Sequence, residues 1–188
     1  MSEGQAWLHP KGDALARPWG NTYWLWPGFI LAGEHPGGTL DNGQTKLHSL
    51  QQAGITHFID LTSSEDPVFA YEAPVGTVCL RHPVKDFGTP SALEMLAVLN
   101  SIQTAINDGG KVYVHCRAGI GRTGTVAATW LVSQGMTGQE ALALLQLKWQ
   151  AMAKSALEPH SPETQAQRDF VLAWAKADST NKHSKQAC

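Results

Sequence analysis

The stretch Lys111–Gly124, KVYVHCRAGIGRTG, constrains this chain more than any other part of it. Lys111–His115 alternates polar and apolar residues in the manner of a strand, and Gly121–Ser133 reads as the helix that follows. A loop between a strand and a helix N-terminus aims successive backbone N–H groups at one point, and the helix dipole adds partial positive charge. Gly119, Gly121 and Gly124 permit the unusual backbone angles and close approach that such a cradle needs. Cys116 stands at its mouth, where an electropositive surrounding favours thiolate over thiol. Arg122 carries the planar fork that grips two oxygens of a phosphoryl group. The plain alternative is a buried strand-end cysteine before an ordinary Gly-rich turn, and the complete pattern H-C-x-x-G-x-G-R-T-G outweighs it.

The remaining elements are read from periodicity and caps. Tyr23–Trp26 and Phe29–Ala32 read as strands joined at Pro27-Gly28, followed by a helix from Asn42 with Leu47 and Leu50 inward and Gly54 closing it. Thr56–Leu61 and Thr77–Arg81 are strand candidates. Ser91 and Glu94 form a capping box, and Leu96, Leu99, Ile102 and Ile106 are expected to face the core from the helix they open. Thr137 and Glu140 form a second box, with Leu142, Leu145, Trp149 and Met152 on one face. Ser161 is expected to cap a last helix with Pro162 at its first position. The fold class is therefore α/β, a central mixed β-sheet flanked by α-helices. The domain reading is an irregular arm over 1–21, a globular domain over 22–177 and a polar, disordered tail over 178–188.

The segment 115–124 resembles the signature loop of the cysteine-dependent protein tyrosine phosphatase superfamily, H-C-x5-R-[ST], and the short chain resembles its dual-specificity branch. An ATP-type P-loop fails for want of lysine, and a rhodanese-type loop has one residue fewer between cysteine and arginine. Asp86-Phe87-Gly88-Thr89-Pro90 resembles the family's acid loop, D-x-G-x-P. Pro162–Phe170 resembles its glutamine segment, in which Gln167, Phe170, Val171 and Trp174 share one helical stripe.

The resemblance implies a phosphomonoesterase that works through a phosphocysteine. Cys116 is the implied nucleophile and Asp86 the acid that later activates water. Arg122 and the backbone of Arg117, Ala118, Gly119, Ile120 and Gly121 bind phosphate, and His115 tunes Cys116. Thr123 stabilises the leaving thiolate, or else only caps the first helical turn. Gln167 positions water, or else is a structural hydrogen-bonder. Arg81, His82, Lys85 and Arg117 recruit anionic substrate or are plain solvated charges. Cys79 is a resolving partner for oxidised Cys116 or a small buried hydrophobe. The implied substrate is phosphotyrosine in proteins, with phosphoserine and phosphothreonine slower. Tyr71 and Phe69 are the nearest candidates for an aromatic wall, because no N-x-x-R-Y motif precedes the first strands. Inositol phosphates, phosphoinositides or other small phosphate esters are the alternative substrates. A catalytically dead phosphotyrosine reader is the rival from another class, and it conflicts with the presence of Cys116, Arg122 and Asp86 together.

Composition narrows the partners. Fourteen basic against sixteen acidic residues leave a net charge of −2, which excludes a globally basic nucleic-acid binder. No apolar run approaches the ~18–20 residues of a membrane span. The N-terminus lacks the layout of a secretory signal. Three cysteines far apart, with no CxxC, fit a reducing cytoplasmic compartment. No HxH or HExxH occurs among the eight histidines, so neither metal nor other cofactor is expected, and the chain is read as a monomer.

Overall fold

In the computed structural model the described residues are 15–37 and 43–174. Residues 1–14 and 175–188 hold most of the predicted arm and all of the predicted tail, so these readings lie outside the described residues, as does Asn42. The strands are β1 (Thr22–Trp26), β2 (Ile30–Gly33), β3 (His57–Asp60), β4 (Val78–Arg81) and β5 (Val112–His115). The helices are α1 (Gln44–Gln52), α2 (Ala92–Asn107), α3 (Gly121–Ser133), α4 (Gly138–Trp149) and α5 (165–174), with a 3-10 turn at Ala153–Ala156.

One mixed sheet results, ordered β1-β2-β5-β3-β4. β1 runs antiparallel at one edge, and β2, β5, β3 and β4 run parallel to one another. Alternation sorts the sheet's side chains into two cores. Leu31, Phe58 and Tyr113 pack with Leu47 and Leu50 of α1 on one face. Ile30, Ala32, Ile59, Val112 and Val114 face α2, α3, α4 and Val171 of α5 on the other. α3 is buried from Gly121 through Val132, a face-all-round burial that its small Gly, Ala and Thr residues allow.

Both predicted capping boxes form. Ser91 N donates to Glu94 Oε2 at 2.7 Å and Glu94 N to Ser91 Oγ at 3.3 Å; Thr137 and Glu140 do the same at 2.9 and 3.2 Å. Two readings need correction. Leu96 is 46% exposed, and the buried stripe of α2 is Met95, Val98, Leu99, Ile102, Ala105 and Ile106. Ser161 does not cap the last helix. Its hydroxyl donates to Ile120 O at 2.8 Å, its peptide bond to Pro162 is cis, and α5 begins three residues beyond Pro162. The cap there is Thr164, which accepts from Gln167 N at 3.2 Å while its own N–H donates to Gln167 Oε1 at 3.1 Å.

The corrected stripe of α2 is testable. Ile102→Ala should cost ~2–5 kcal/mol of unfolding free energy, and Leu96→Ala at most about 0.5 kcal/mol, in urea titrations followed by circular dichroism.

Candidate active site

The parallel strands end side by side, with Gly33 and Asp60 flanking His115 in register. Ligands of open α/β sheets bind beyond such carboxyl ends. Here the chain leaves β5 as Cys116–Ile120 and enters α3. Gly119 has φ 79°, and a Cβ there would lie 2.5 Å from Gly33 C, so only glycine fits. The loop carbonyls are bonded on its outer side. Arg117 O accepts from His35 N at 3.1 Å, Ala118 O from Lys154 Nζ at 3.1 Å, and Ile120 O from Ser161 Oγ at 2.8 Å. On the other side of the loop, Gly119 N donates to Cys116 Sγ at 3.3 Å. Cys116 is buried, 3% exposed.

Arg122 is 2% exposed and sits on the first turn of α3. Its Nη1 donates to Asp66 Oδ2 at 2.7 Å and to Val84 O at 2.9 Å. Its Nη2 donates to Asp66 Oδ1 at 2.6 Å and lies 2.9 Å from Asp86 Oδ1. Burial opposes the guanidinium charge, but Asp66, Cys116 and Asp86 outweigh it and the pKa rises. Sequence reasoning missed Asp66, whose side chain is fully buried. Its bond to Arg122, against burial and with help from Ser63 N, holds its pKa at about 2. Asp86 is brought over the cradle, with Oδ2 3.4 Å from Arg117 Nη2. Its neighbour Phe87 is exposed and has φ 60°, a left-handed conformation.

Behind the cysteine, His115 is fully buried and burial lowers its pKa, so the ring is neutral. Its Nε2 pairs with Tyr71 Oη at 2.8 Å, its Nδ1 lies 3.9 Å from Asp60 Oδ1, and the backbone of Cys116 is a further polar neighbour of the ring. Tyr71 is therefore not an aromatic wall. Its ring packs against His35, Phe58 and His115 behind the cradle, while Phe69 is 68% exposed. Cys79 is exposed on β4, which corrects its reading as a buried hydrophobe; Tyr71 Oη lies 3.8 Å from its sulfur.

Thr123 Oγ1 is buried without a hydrogen-bond partner, and no side chain caps α3, so the reading of Thr123 as a cap is overturned. Gln167 is fully buried, and besides capping α5 it donates from Nε2 to Gly88 O of the acid loop at 3.1 Å. Of the basic residues, Arg81 lies 3.4 Å from Asp60 and His82 pairs with Ser101, while Lys85 is exposed.

Among the described residues one trio, His35, Asp60 and His115, places candidate metal-ligand atoms within 4.8 Å of one another. Two of the three, His35 and Asp60, are engaged within the protein. Gly37 N donates to His35 Nδ1 at 3.1 Å, and Thr62 N and Oγ1 donate to Asp60 Oδ1 at 2.8 and 2.7 Å. Arg81 already supplies a cation beside Asp60 Oδ2.

Comparison with known proteins agrees with this geometry. A family model described as polymorphic toxin system, DSP-PTPase phosphatase, matches residues 32–136. The viral tyrosine phosphatase homologue 067L of Invertebrate iridescent virus 3 is 38% identical over 91 residues, 46% of this chain and 38% of its own length. Tyrosine-protein phosphatase cdc-14 of Caenorhabditis elegans is 32% identical over 102 residues, 54% of this chain and 13% of its own length. This chain thus spans well under two thirds of either relative. The crystal structure of Tk-PTP in the active form superposes with a TM-score of 0.66 at 25% identity, covering 84% of this chain and 98% of that one.

The Asp66–Arg122 pair carries a pH signature. A carboxyl moved from 3.8 to about 2 by folding stabilises the fold fully above its unfolded pKa, and that contribution is lost as pH falls through the folded one. Between pH 4 and 2 the native protein should lose stability more steeply than Asp66→Asn, which is already destabilised at neutral pH. Thermal melts across that range check it.

Proposed function

The chain belongs to the DSP-PTPase phosphatase family, whose model matches more than half of it, and on that premise we propose that it hydrolyses phosphotyrosine in proteins through a phosphocysteine. The observation that supports this most is the convergence of Cys116, Arg122 and Asp86 on one loop. Asp86 Oδ1 and Asp66 Oδ1 both lie on Arg122 Nη2, at 2.9 and 2.6 Å, above the loop that Cys116 opens.

The chemistry is in-line displacement. The Cys116 thiolate attacks phosphorus while protonated Asp86 gives its proton to the leaving oxygen. Charge on the equatorial oxygens is met by the loop N–H groups and Arg122. Of the five guanidinium hydrogens, Asp66 takes two and Val84 O a third. The Nε–H and the second Nη2 hydrogen are left as the fork for phosphate, once the anion displaces Asp86 from Nη2. Water then hydrolyses the phosphocysteine, and the Thr123 hydroxyl donates to the sulfur as it leaves. His115, neutral and held by Tyr71, keeps the strand end and the sulfur in register. The mechanism needs a reduced Cys116, which fits a cytoplasmic, reducing compartment and a monomer acting alone, and it uses no metal.

Substrate choice follows from the mouth of the site. Phe87, the neighbour of Asp86, presents an exposed aromatic ring there, and Arg117 adds a half-exposed positive charge. Phosphotyrosine peptides with acidic neighbours are the expected substrates, with phosphothreonine and phosphoserine slower because their alkoxides demand more of the acid.

Turnover of p-nitrophenyl phosphate, and of matched phosphopeptides beside inositol phosphates, tests the reading. Cys116→Ser should abolish turnover and keep vanadate binding; normal turnover by this variant would end the mechanism. Asp86→Asn should cost ~10²–10⁴-fold for poor leaving groups and far less for p-nitrophenolate. A loss independent of leaving-group pKa would remove Asp86 from the role of acid.

A further inference from the structure

Glu163 lies on the segment that runs from the 3-10 turn into α5. Its backbone is pinned, since Arg168 Nη1 donates to Pro162 O at 2.7 Å and to Glu163 O at 3.2 Å. Its carboxylate reaches the flank of Gly121, the residue that joins the cradle to Arg122. A Cβ placed on Gly121 would lie 3.0 Å from Glu163 Oε2 and 2.8 Å from each amide atom of Gln167. Two polar side chains therefore fill the space that glycine leaves open there. Gln167 is committed on both ends of its amide, to Thr164 N and to Gly88 O. Glu163 is the member of the pair with acid–base chemistry to offer.

The charged groups that face Glu163 come from four segments. They are Asp86 of the acid loop, Arg117 of the cradle, Arg122 of α3 and Glu158 of the loop after the 3-10 turn. Partial burial foremost, then Glu158 and Asp86, raises the Glu163 pKa, against the two arginines. Two carboxyl groups that share one electropositive site do not ionise independently.

We propose that Glu163 is a second catalytic carboxyl, the general base for hydrolysis of the phosphocysteine, a role that rests on the phosphatase reading above. In the first half-reaction Asp86 loses its proton to the leaving oxygen. In the second, a water oxygen forms its bond to phosphorus as the P–S bond breaks, and the electron pair of that bond returns to Cys116 Sγ as thiolate. The water proton passes to ionised Glu163. From there it returns to Asp86, so the pair carries one proton into the next turnover and the net reaction is ester plus water to alcohol plus phosphate. A base of raised pKa is the stronger acceptor, and its base form is lost as pH falls through that pKa. The acid limb of kcat, which reports the phosphoenzyme, then belongs to Glu163.

Glu163→Gln keeps shape and removes the base. Rapid mixing with p-nitrophenyl phosphate should give a burst of one p-nitrophenolate per enzyme, then a steady state at least ~10-fold slower than native. Acid quench should trap a phosphate adduct on the Cys116 peptide, and the acid limb of kcat should flatten. Glu163→Asp should recover part of kcat, and vanadate affinity should stay native in both variants. A kcat within about twofold of native without a burst would overturn the proposal. So would an equal loss in the burst rate and the steady state, or lost vanadate binding, which mark a structural role. Failure of the underlying phosphatase reading looks different, because native enzyme would then form no adduct and Cys116→Ser would turn over normally.

Discussion

A guanidinium removed from water must be given oxygens on every side, and the placement of Arg122 organises this site. At 2% exposure it is surrounded by Asp66, Val84 O and Asp86. Asp66 binds both terminal nitrogens in the bidentate geometry that fixes a guanidinium plane. Ser63 N and Oγ in turn hold Asp66 Oδ2, at 2.7 and 3.1 Å. The plane of the fork is thereby set before any anion arrives, which is the condition for electrostatic stabilisation without reorganisation at the moment of reaction. Removing Asp66 leaves a buried cation with one carboxylate, that of Asp86, which in the proposed mechanism substrate itself would displace.

The alternation of β5 carries the same logic to the back of the loop. Val112 and Val114 face the helices α2, α3 and α4, and Cys116 continues that side into the larger core. Tyr113 and His115 face the other way, with rings stacked at 5.5 Å. Cys116 and His115 thus occupy opposite faces of one strand end, and the hydrogen-bond network behind the cysteine is built from β3, β4 and the loop between them. On the outer side a second network holds the cradle. Lys154 Nζ donates to Ala118 O and pairs with Glu34, which also accepts from Trp19 Nε1 at 3.2 Å and from Lys46 at 2.7 Å. A partly buried carboxylate with this many donors has its pKa lowered despite the burial that opposes it.

What was legible in the sequence was local. The strand, the glycines, Cys116 and Arg122 lie within fourteen consecutive residues, and the two capping boxes within four each. The Leu96 reading failed because α2 offers two adjacent stripes at helical spacing. Met95 and Val98 fall on the one the sheet covers, and periodicity alone does not choose between them. Ser161 failed because its hydroxyl went to Ile120, 41 positions back, while the true box, Thr164-x-x-Gln167, had the same spacing as the two recognised ones. Asp66 and Tyr71 come from an aperiodic loop and find partners 56 and 44 positions away. No local pattern encodes such pairings; the nearest signal was the need of a buried arginine for a carboxylate.

Lys85–Thr89, the acid loop of the proposed mechanism, is a short, partly exposed segment set in a fixed frame. Val84 and Pro90 are buried at its ends, and Lys85–Thr89 between them is exposed or half-buried. Val84 N is tied to Leu61 O at 3.1 Å and His82 N to Asp60 O at 2.8 Å, which fixes the entry to the loop on β3. Beyond that point the loop is tied down by Gly88 N to Lys85 O, Gln167 to Gly88 O, and the ion pairs of Asp86. The left-handed φ of Phe87, a conformation that costs roughly 1–3 kcal/mol outside glycine, is sustained by those same contacts. In the proposed mechanism, phosphate and the Asp86 carboxylate would compete for the same Arg122 hydrogen, so an arriving dianion would release both the ion pair and the reason for the strain. Such a displacement would fall on the five residues Lys85–Thr89, between the buried Val84 and Pro90. The Gln167 amide bridges Thr164 N at the start of α5 and Gly88 O of this loop, and in the proposed mechanism that bridge would keep Asp86 near the leaving oxygen after its pairing with Arg122 is gone.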